Sequence, residues 1–218
     1  MRKPTAEFSD KDLRSAQATA SALLEHLMNE LATGKGIHLE SILSALGALA
    51  GRACQVAALE GFARQELGYA GLSLATVTGT DGSEYYFGDA INRPLTERPY
   101  SVWDLVAAEA ARLGATLPDM AELFQHNAAM VGQPSYGVPR WAPETFGEAP
   151  QTYLPLWDRY LPLIRKSAPK TQLWPVVCGI AVQQLFQKLV GQFDLGVQTR
   201  VVMDCAIAMA KLKAQPGA

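Results

Sequence analysis

HLESILSALGALAGRACQVAAL, residues 38–59, carries a repeating apolar pattern that predicts one long helix at the centre of the fold. The larger apolar side chains recur every three or four residues and so share one face: Leu39, Ile42, Leu46, Leu49, Ala53 and Val56. On the other face, Gly47 and Gly51 lie four residues apart among alanine and serine. Glycine costs about 1 kcal/mol relative to alanine inside a helix, so this pair indicates that another backbone approaches closely. We expect this helix to be buried on two sides.

Helical spacing of apolar residues continues along most of the chain. It predicts a mainly α fold of about seven to eight helices packed as an irregular bundle. The first helix follows Ser9, which forms a capping-box-like pair with Asp12. The one clear β signal lies near residues 73–88, where an Asp-Gly dipeptide at 81–82 separates two β-forming runs and predicts a hairpin. Pro162 is expected to kink or end the helix that contains it.

The chain contains no linker, internal repeat or low-complexity tract, which predicts a single globular domain over residues 1–218. Residues 1–8 and 213–218 are expected to be loose tails. Two prolines indicate a loop over residues 92–99. Residues 133–150 contain four prolines and several aromatic residues, which predicts a long ordered loop without regular secondary structure.

Composition excludes several classes of protein. The net charge is −2 and no block of Lys and Arg is present, which argues against nucleic-acid binding. No uncharged apolar run reaches membrane-spanning length, so we expect no membrane association. The three cysteines, Cys54, Cys178 and Cys205, lie in separate apolar helical stretches without a CxxC pair. Together with the lack of an export signal, they indicate reduced thiols and a cytoplasmic location.

The charged residues make up only 18% of the chain, against about a quarter in an average protein. Either another copy of the chain covers part of the surface, or a compact alanine-rich domain simply needs fewer charges. A row of uncharged polar residues, Gln183, Gln184, Gln187 and Gln192, has the same two interpretations. It is a solvent-exposed helix face or a polar subunit interface.

Motifs for specific chemistry are missing from the sequence. Neither GxxxxGK[ST] nor GxGxxG nor HExxH occurs, and residues 71–75 match GxSxG except for a final alanine. Glu122 and His126, one helical turn apart, come nearest to a pair of metal ligands, but no Glu-x-x-His spacing accompanies them. We therefore expect no metal and no cofactor.

Arg200 and Asp204 lie four residues apart on the last predicted helix. Opposite charges at this spacing share one helix face, so the sequence predicts an ion pair between them.

Two segments retain functional interest. Asp89 and Asn92 leave the hairpin together, and they either face a cleft or hydrogen-bond the backbone of their own loop. Tyr136, Arg140 and Trp141 lie in the long loop, where they either line a pocket or form a small hydrophobic cluster that pins the loop. These five residues are the candidate ligand-binding residues.

Two hypotheses for function follow. The first is a homo-oligomeric interaction or structural protein whose partner is another copy of itself. It is based on the low charge, the glycine-containing helix, the glutamine row and a hairpin with free edges. The alternative is a small-molecule-binding protein, or an enzyme of unrecognised type, with a pocket under the aromatic loop 133–153.

Overall fold

The structure is a computed structural model that describes residues 7–34, 36–142, 145–146 and 148–213, with the backbone alone at 142, 145 and 146. Within these ranges the chain forms eight α-helices and three short antiparallel strand pairs, which confirms the mainly α fold with a small hairpin. The helices are α1 (Asp10–Glu30), α2 (Leu39–Ala63), α3 (Asp89–Asn92), α4 (Val102–Arg112), α5 (Met120–Ala129), α6 (Leu154–Ser167), α7 (Trp174–Leu189) and α8 (Leu195–Lys211). The strand pairs are β1 (Ala32–Thr33) with β2 (Gly36–Ile37), β3 (Ala75–Thr78) with β4 (Glu84–Phe87), and β5 (Arg140–Ala142) with β6 (Thr145–Phe146).

Helix α2 is the centre of the bundle, and it is buried on nearly every side. It packs along α8 and α7, while α7 also packs against α1 and α4, and α8 against α5. The helix extends beyond its predicted end at Leu59 to Ala63, and Gly61 lies within it. A side chain at Gly61 would collide with the ring of Tyr69, so the glycine makes room for this buried tyrosine.

The close approach predicted at the two glycines of α2 comes from α8 of the same chain. A Cβ atom at Gly47 would lie 2.6 Å from the carbonyl oxygen of Val202 and 2.7 Å from Cβ of Cys205. At Gly51 a Cβ atom would lie 2.8 Å from the backbone nitrogen of Ala210. The small face of α2 is therefore filled within one chain.

Composition and length alone would allow α2 to cross a membrane. However, 83% of its most apolar window is buried inside the fold, as expected for the core helix of a soluble protein. The three cysteines are buried as free thiols, and burial raises the pKa of each thiol.

The first capping box and the main hairpin form as predicted. The backbone nitrogen of Asp12 donates to Oγ of Ser9 over 3.2 Å, and the Ser9 nitrogen donates to the Asp12 carboxylate over 3.1 Å. Strands β3 and β4 flank the predicted turn, where Gly82 has a φ of +79°. This positive φ explains the need for glycine after the aspartate.

Three segments differ from the prediction. Residues 92–99 are largely helical rather than a loop, because α3 continues into a π-helical turn (Arg93–Glu97) that has Pro94 in its first turn, where no backbone donor is needed. Helix α6 does not end at Pro162, since buried side chains on both sides of the proline, including Trp157 and Ile164, hold it against the core. The long loop contains the short strand pair β5–β6.

The predicted tails fall mostly outside the described residues. Within them, Glu7 pairs with the buried guanidinium of Arg98, and the ring of Phe8 is buried against Tyr100. At the other end, the Lys213 backbone nitrogen donates to the Glu84 carbonyl over 2.9 Å.

Candidate functional site

Strand β3 is the more exposed strand of the main hairpin. Val77 lies opposite Tyr85, and the Gly79 nitrogen donates to the Ser83 oxygen over 2.8 Å. Backbone groups alternate in direction along an antiparallel strand, so those of Thr76 and Thr78 point away from β4. All four side chains of β3 are exposed, and within the described part of the chain β4 is its one paired neighbour.

The opposite edge of the hairpin is closed. Tyr85 forms a β-bridge with Leu212, and the Glu84 carbonyl accepts from the Lys213 nitrogen. The Lys213 ammonium also lies 2.6 Å from the Glu84 carboxylate. The C-terminal segment thus pairs with β4, whereas no segment of the described part of the chain pairs with the outer edge of β3.

The open edge lacks most of the devices that protect such strands. Natural proteins place lysine, proline or a bulge on exposed edges to prevent pairing with another chain. Residues 71–80 contain no charged residue and no proline, and β3 pairs with β4 without a register shift. The short length of the strand is the one protective feature that it has.

Asp89 and Asn92 hold their own segment together. The Asp89 nitrogen donates to Oγ of Ser73 over 3.0 Å, and this hydroxyl donates to the Asp89 carboxylate over 2.9 Å. Asn92 continues the short helix, and its carbonyl accepts from the hydroxyl of Thr96 over 3.3 Å. Both contacts fix the exit from the hairpin.

Arg140 fixes the aromatic loop to α8. Its Nε and Nη2 atoms donate to the two carboxylate oxygens of Asp204 over 3.0 and 2.9 Å, and its guanidinium also pairs with Glu122. Burial disfavours the charged guanidinium, but these carboxylates outweigh burial and raise the pKa of Arg140. Asp204 is only 1% exposed, so this pair anchors the loop at a buried point.

Tyr136 and Trp141 pack inward. Tyr136 is buried, its hydroxyl donates to the carbonyl of Ala208 over 3.2 Å, and its ring meets Tyr85 edge to face at 5.0 Å. Trp141 is partly buried against the core. Neither residue lines the cleft that residues 113–118 and 190–197 form at one end of the bundle.

Glu122 has its carboxylate engaged by Arg140, and this hydrogen bond lowers the pKa of Glu122. His126 lies one turn further along α5. Among the described residues, no group of three or more His, Cys, Asp or Glu side chains is placed to hold a metal ion.

Sequence reasoning missed a buried cation on α8. Lys211 is 6% exposed, and its ammonium lies 4.6 Å from the ring centre of Phe87 and 5.0 Å from that of Phe124. Burial lowers the pKa of Lys211 to about 8. Because the residue ends a helix, its charge looks from sequence like an ordinary partner of the helix dipole. The two phenylalanines lie in β4 and α5, far from Lys211 in sequence, so no local sequence pattern predicts their contact with the ammonium.

Comparison with protein-family models, with curated proteins and with solved structures gives no match to this chain. A functional conclusion therefore depends on the geometry described above.

Proposed function

We propose that the protein is a homo-oligomeric interaction protein, and that it associates with a second copy through the outer edge of β3. The observation that carries this proposal is an uncharged strand whose outward backbone groups, at Thr76 and Thr78, have no strand beside them among the described residues. Edge strands of this kind pair readily with another strand. The low charge of the chain is consistent with a surface that meets its own copy.

Other features that sequence reasoning assigned to an interface have partners within the chain. Helix α8 packs directly against the two glycines of α2. Gln183 donates to the carbonyl of Leu105, and Gln187 donates to the carboxylate of Glu109. These residues offer no support for association, and the hairpin edge becomes its main basis.

A symmetric arrangement satisfies the geometry of the open edge. If two copies of β3 run antiparallel about a two-fold axis through Val77, Thr76 of one copy lies opposite Thr78 of the other. The outward backbone groups then form about four hydrogen bonds between the copies. At about 1 kcal/mol each, they contribute about 4 kcal/mol, which the loss of translational and rotational freedom on association offsets in part, so we expect a weak dimer. Contact between the two exposed Val77 side chains would strengthen this association.

The test is sedimentation equilibrium from about 10 μM to about 1 mM, the range in which a weak dimer becomes detectable. We expect the mean mass of the wild type to rise with concentration. The variant T76K/T78K places two like charges on each edge and is expected to remain monomeric. The variant A111K/A128K, which adds the same charge at two exposed helix positions, is the matched control and should behave as the wild type. A wild type that stays monomeric throughout, or equal association of both variants, would refute the proposal.

We also propose a cytoplasmic location, because three separate buried thiols require no oxidising compartment. Fractionation of cells that produce the untagged chain tests this proposal, and recovery from an exported fraction would refute it.

A further inference from the structure

A cleft of about 460 Å³ lies at one end of the bundle, between the connection from α4 to α5 and the connection from α7 to α8. This volume falls within the range of small-molecule sites. Residues 113–118 form one wall, and residues 190–197 form the other. Arg200, on the second turn of α8, also lines the cleft.

Three exposed apolar side chains lie at this cleft. Leu117 is 37% exposed, Val190 is 48% exposed and Phe193 is 46% exposed. They are three of the seven large apolar side chains in the described part of the chain that are more than a third exposed. Such clustering around one concavity marks a surface that gains from being covered by apolar atoms.

Arg200 provides a cation without a protein partner. The expected pair with Asp204 does not form, because Arg140 takes both carboxylate oxygens of Asp204. Within the described residues, Arg200 makes no hydrogen bond or ion pair, and its Nε atom is enclosed without an acceptor. An enclosed guanidinium nitrogen without an acceptor is unfavourable, and the remaining N–H groups of this unpaired guanidinium can donate to an anion in the cleft.

Neither nearby carboxylate forms an ion pair with Arg200. Asp194 lines the same cleft, but its carboxylate caps α8 by accepting from the backbone nitrogens of Gly196 at 2.9 Å and Val197 at 3.4 Å. Glu122 is held by Arg140, whose hydrogen bond is the main cause of its lowered pKa, and Arg200 contributes less. Among the residues that line the cleft, Arg200 is the one cation, and it has no ion-pair partner in the described part of the chain.

We infer that this cleft binds an amphipathic monocarboxylate, with the carboxylate on Arg200 and the aliphatic chain along Leu117, Val190 and Phe193. A guanidinium matches the two oxygens of a carboxylate, and the three apolar side chains gain from covering an alkyl chain. This site is separate from the β3 edge, so a ligand can bind without association of the chains.

The probes are straight-chain carboxylates from butanoate to octanoate, with 1-octanol as the uncharged analogue, measured by isothermal titration calorimetry. We expect the affinity to rise by up to about fourfold for each added methylene. Octanoate should bind more tightly than 1-octanol because only the carboxylate can use Arg200.

Three variants locate the site. R200Q should weaken octanoate binding by about tenfold or more, since a charged hydrogen bond is lost, while R200K should retain part of the affinity. F193S should weaken octanoate and 1-octanol alike, and it should fold because Phe193 is half exposed. R64Q is the matched control, because Arg64 is exposed at the end of α2 and should not affect binding.

The inference is overturned if octanoate gives no heat of binding at concentrations up to about 1 mM, which would place the Kd above the range of a weak specific ligand. It is also overturned if R200Q and F193S both bind octanoate as the wild type does, or if 1-octanol binds as tightly as octanoate. If R200Q does not fold, R200K and F193S still decide the matter.

Discussion

Replacement of Gly51 by alanine tests whether α2 and α8 pack within one chain. The added Cβ atom would lie 2.8 Å from the Ala210 nitrogen and 2.9 Å from Cβ of Met209, and it would also collide with the carbonyl oxygen of Ala206. Two of these three atoms are backbone, and the third is fixed to it. Relief therefore requires the two buried helices to move apart.

Two opposing contributions set the size of the effect. Alanine favours the helix over glycine by about 1 kcal/mol. Overpacking in a core typically costs about 1–3 kcal/mol, and contact with an immobile backbone favours the upper end. We therefore expect G51A to lower the free energy of unfolding by about 2 kcal/mol. In a chain of this size that corresponds to a fall in Tm of about 4–8 °C.

Equilibrium unfolding in urea measures this change, and G179A is the matched control. A Cβ atom at Gly179 meets the side chain of Leu105, with the tip of the leucine nearest at 2.7 Å. That tip can rotate away, and Cβ of Leu105 at 3.1 Å requires a shift of only a few tenths of an ångström, so the helical preference of alanine should offset the contact to within about 0.5 kcal/mol. If G51A is as stable as the wild type, or changes only the oligomeric state, the assignment of this face to α8 is wrong.

Two further predictions concern the buried charges of α8. Asp204→Asn removes the buried partner of Arg140 and should lower the free energy of unfolding by about 2–3 kcal/mol. Glu122→Gln removes the more exposed partner of Arg140 and should lower it by less than about 1 kcal/mol. Equal losses in urea unfolding would contradict this ranking. Lys211→Met should stabilise the protein at pH 7 by about 2 kcal/mol. Burial lowers the pKa of Lys211 to about 8 and so destabilises the charged form, and contact with the aromatic rings recovers only about 1 kcal/mol of this cost. Between pH 8 and pH 10.5 the unfolded wild type binds a proton that the folded state does not, so the stability of the wild type should rise over this interval. The stability advantage of the variant should therefore shrink as the pH rises. An advantage that does not change with pH, or the same profile for Lys213→Met, would contradict the burial argument.

Sequence reasoning succeeded where the signal is local. The capping box of α1 requires only Ser9 and Asp12, three residues apart, and the hairpin requires only the turn at 81–82. At Pro162, where the sequence predicts a kink or an end, α6 does not end, because packing of both halves of the helix outweighs a local helix-breaking residue. The capping box and the hairpin depend on residues close together in sequence, whereas the course of α6 depends on contacts with distant parts of the chain.

The two glycines of α2 illustrate the limit of a correct inference. Their spacing predicts a close approach of another backbone, and one is present at Val202 and Ala210. A helix face cannot encode whether the approaching backbone belongs to the same chain or to another copy, because both give the same contacts. Only the path of the chain, which brings α8 back along α2, answers that question.

The charges of α8 show how a long-range contact changes the meaning of a local one. Arg200 and Asp204 have ideal spacing for an ion pair, which is worth about 0.3–0.5 kcal/mol on an exposed helix. Arg140 comes from 64 residues away in sequence and offers Asp204 its backbone nitrogen, Nε and Nη2 at once. These multiple charged hydrogen bonds at a buried carboxylate outweigh the single local pair, so Arg200 is left at the cleft without a partner. If R140Q frees Asp204, the carboxylate should turn toward Arg200 and weaken octanoate binding without any substitution in the cleft itself.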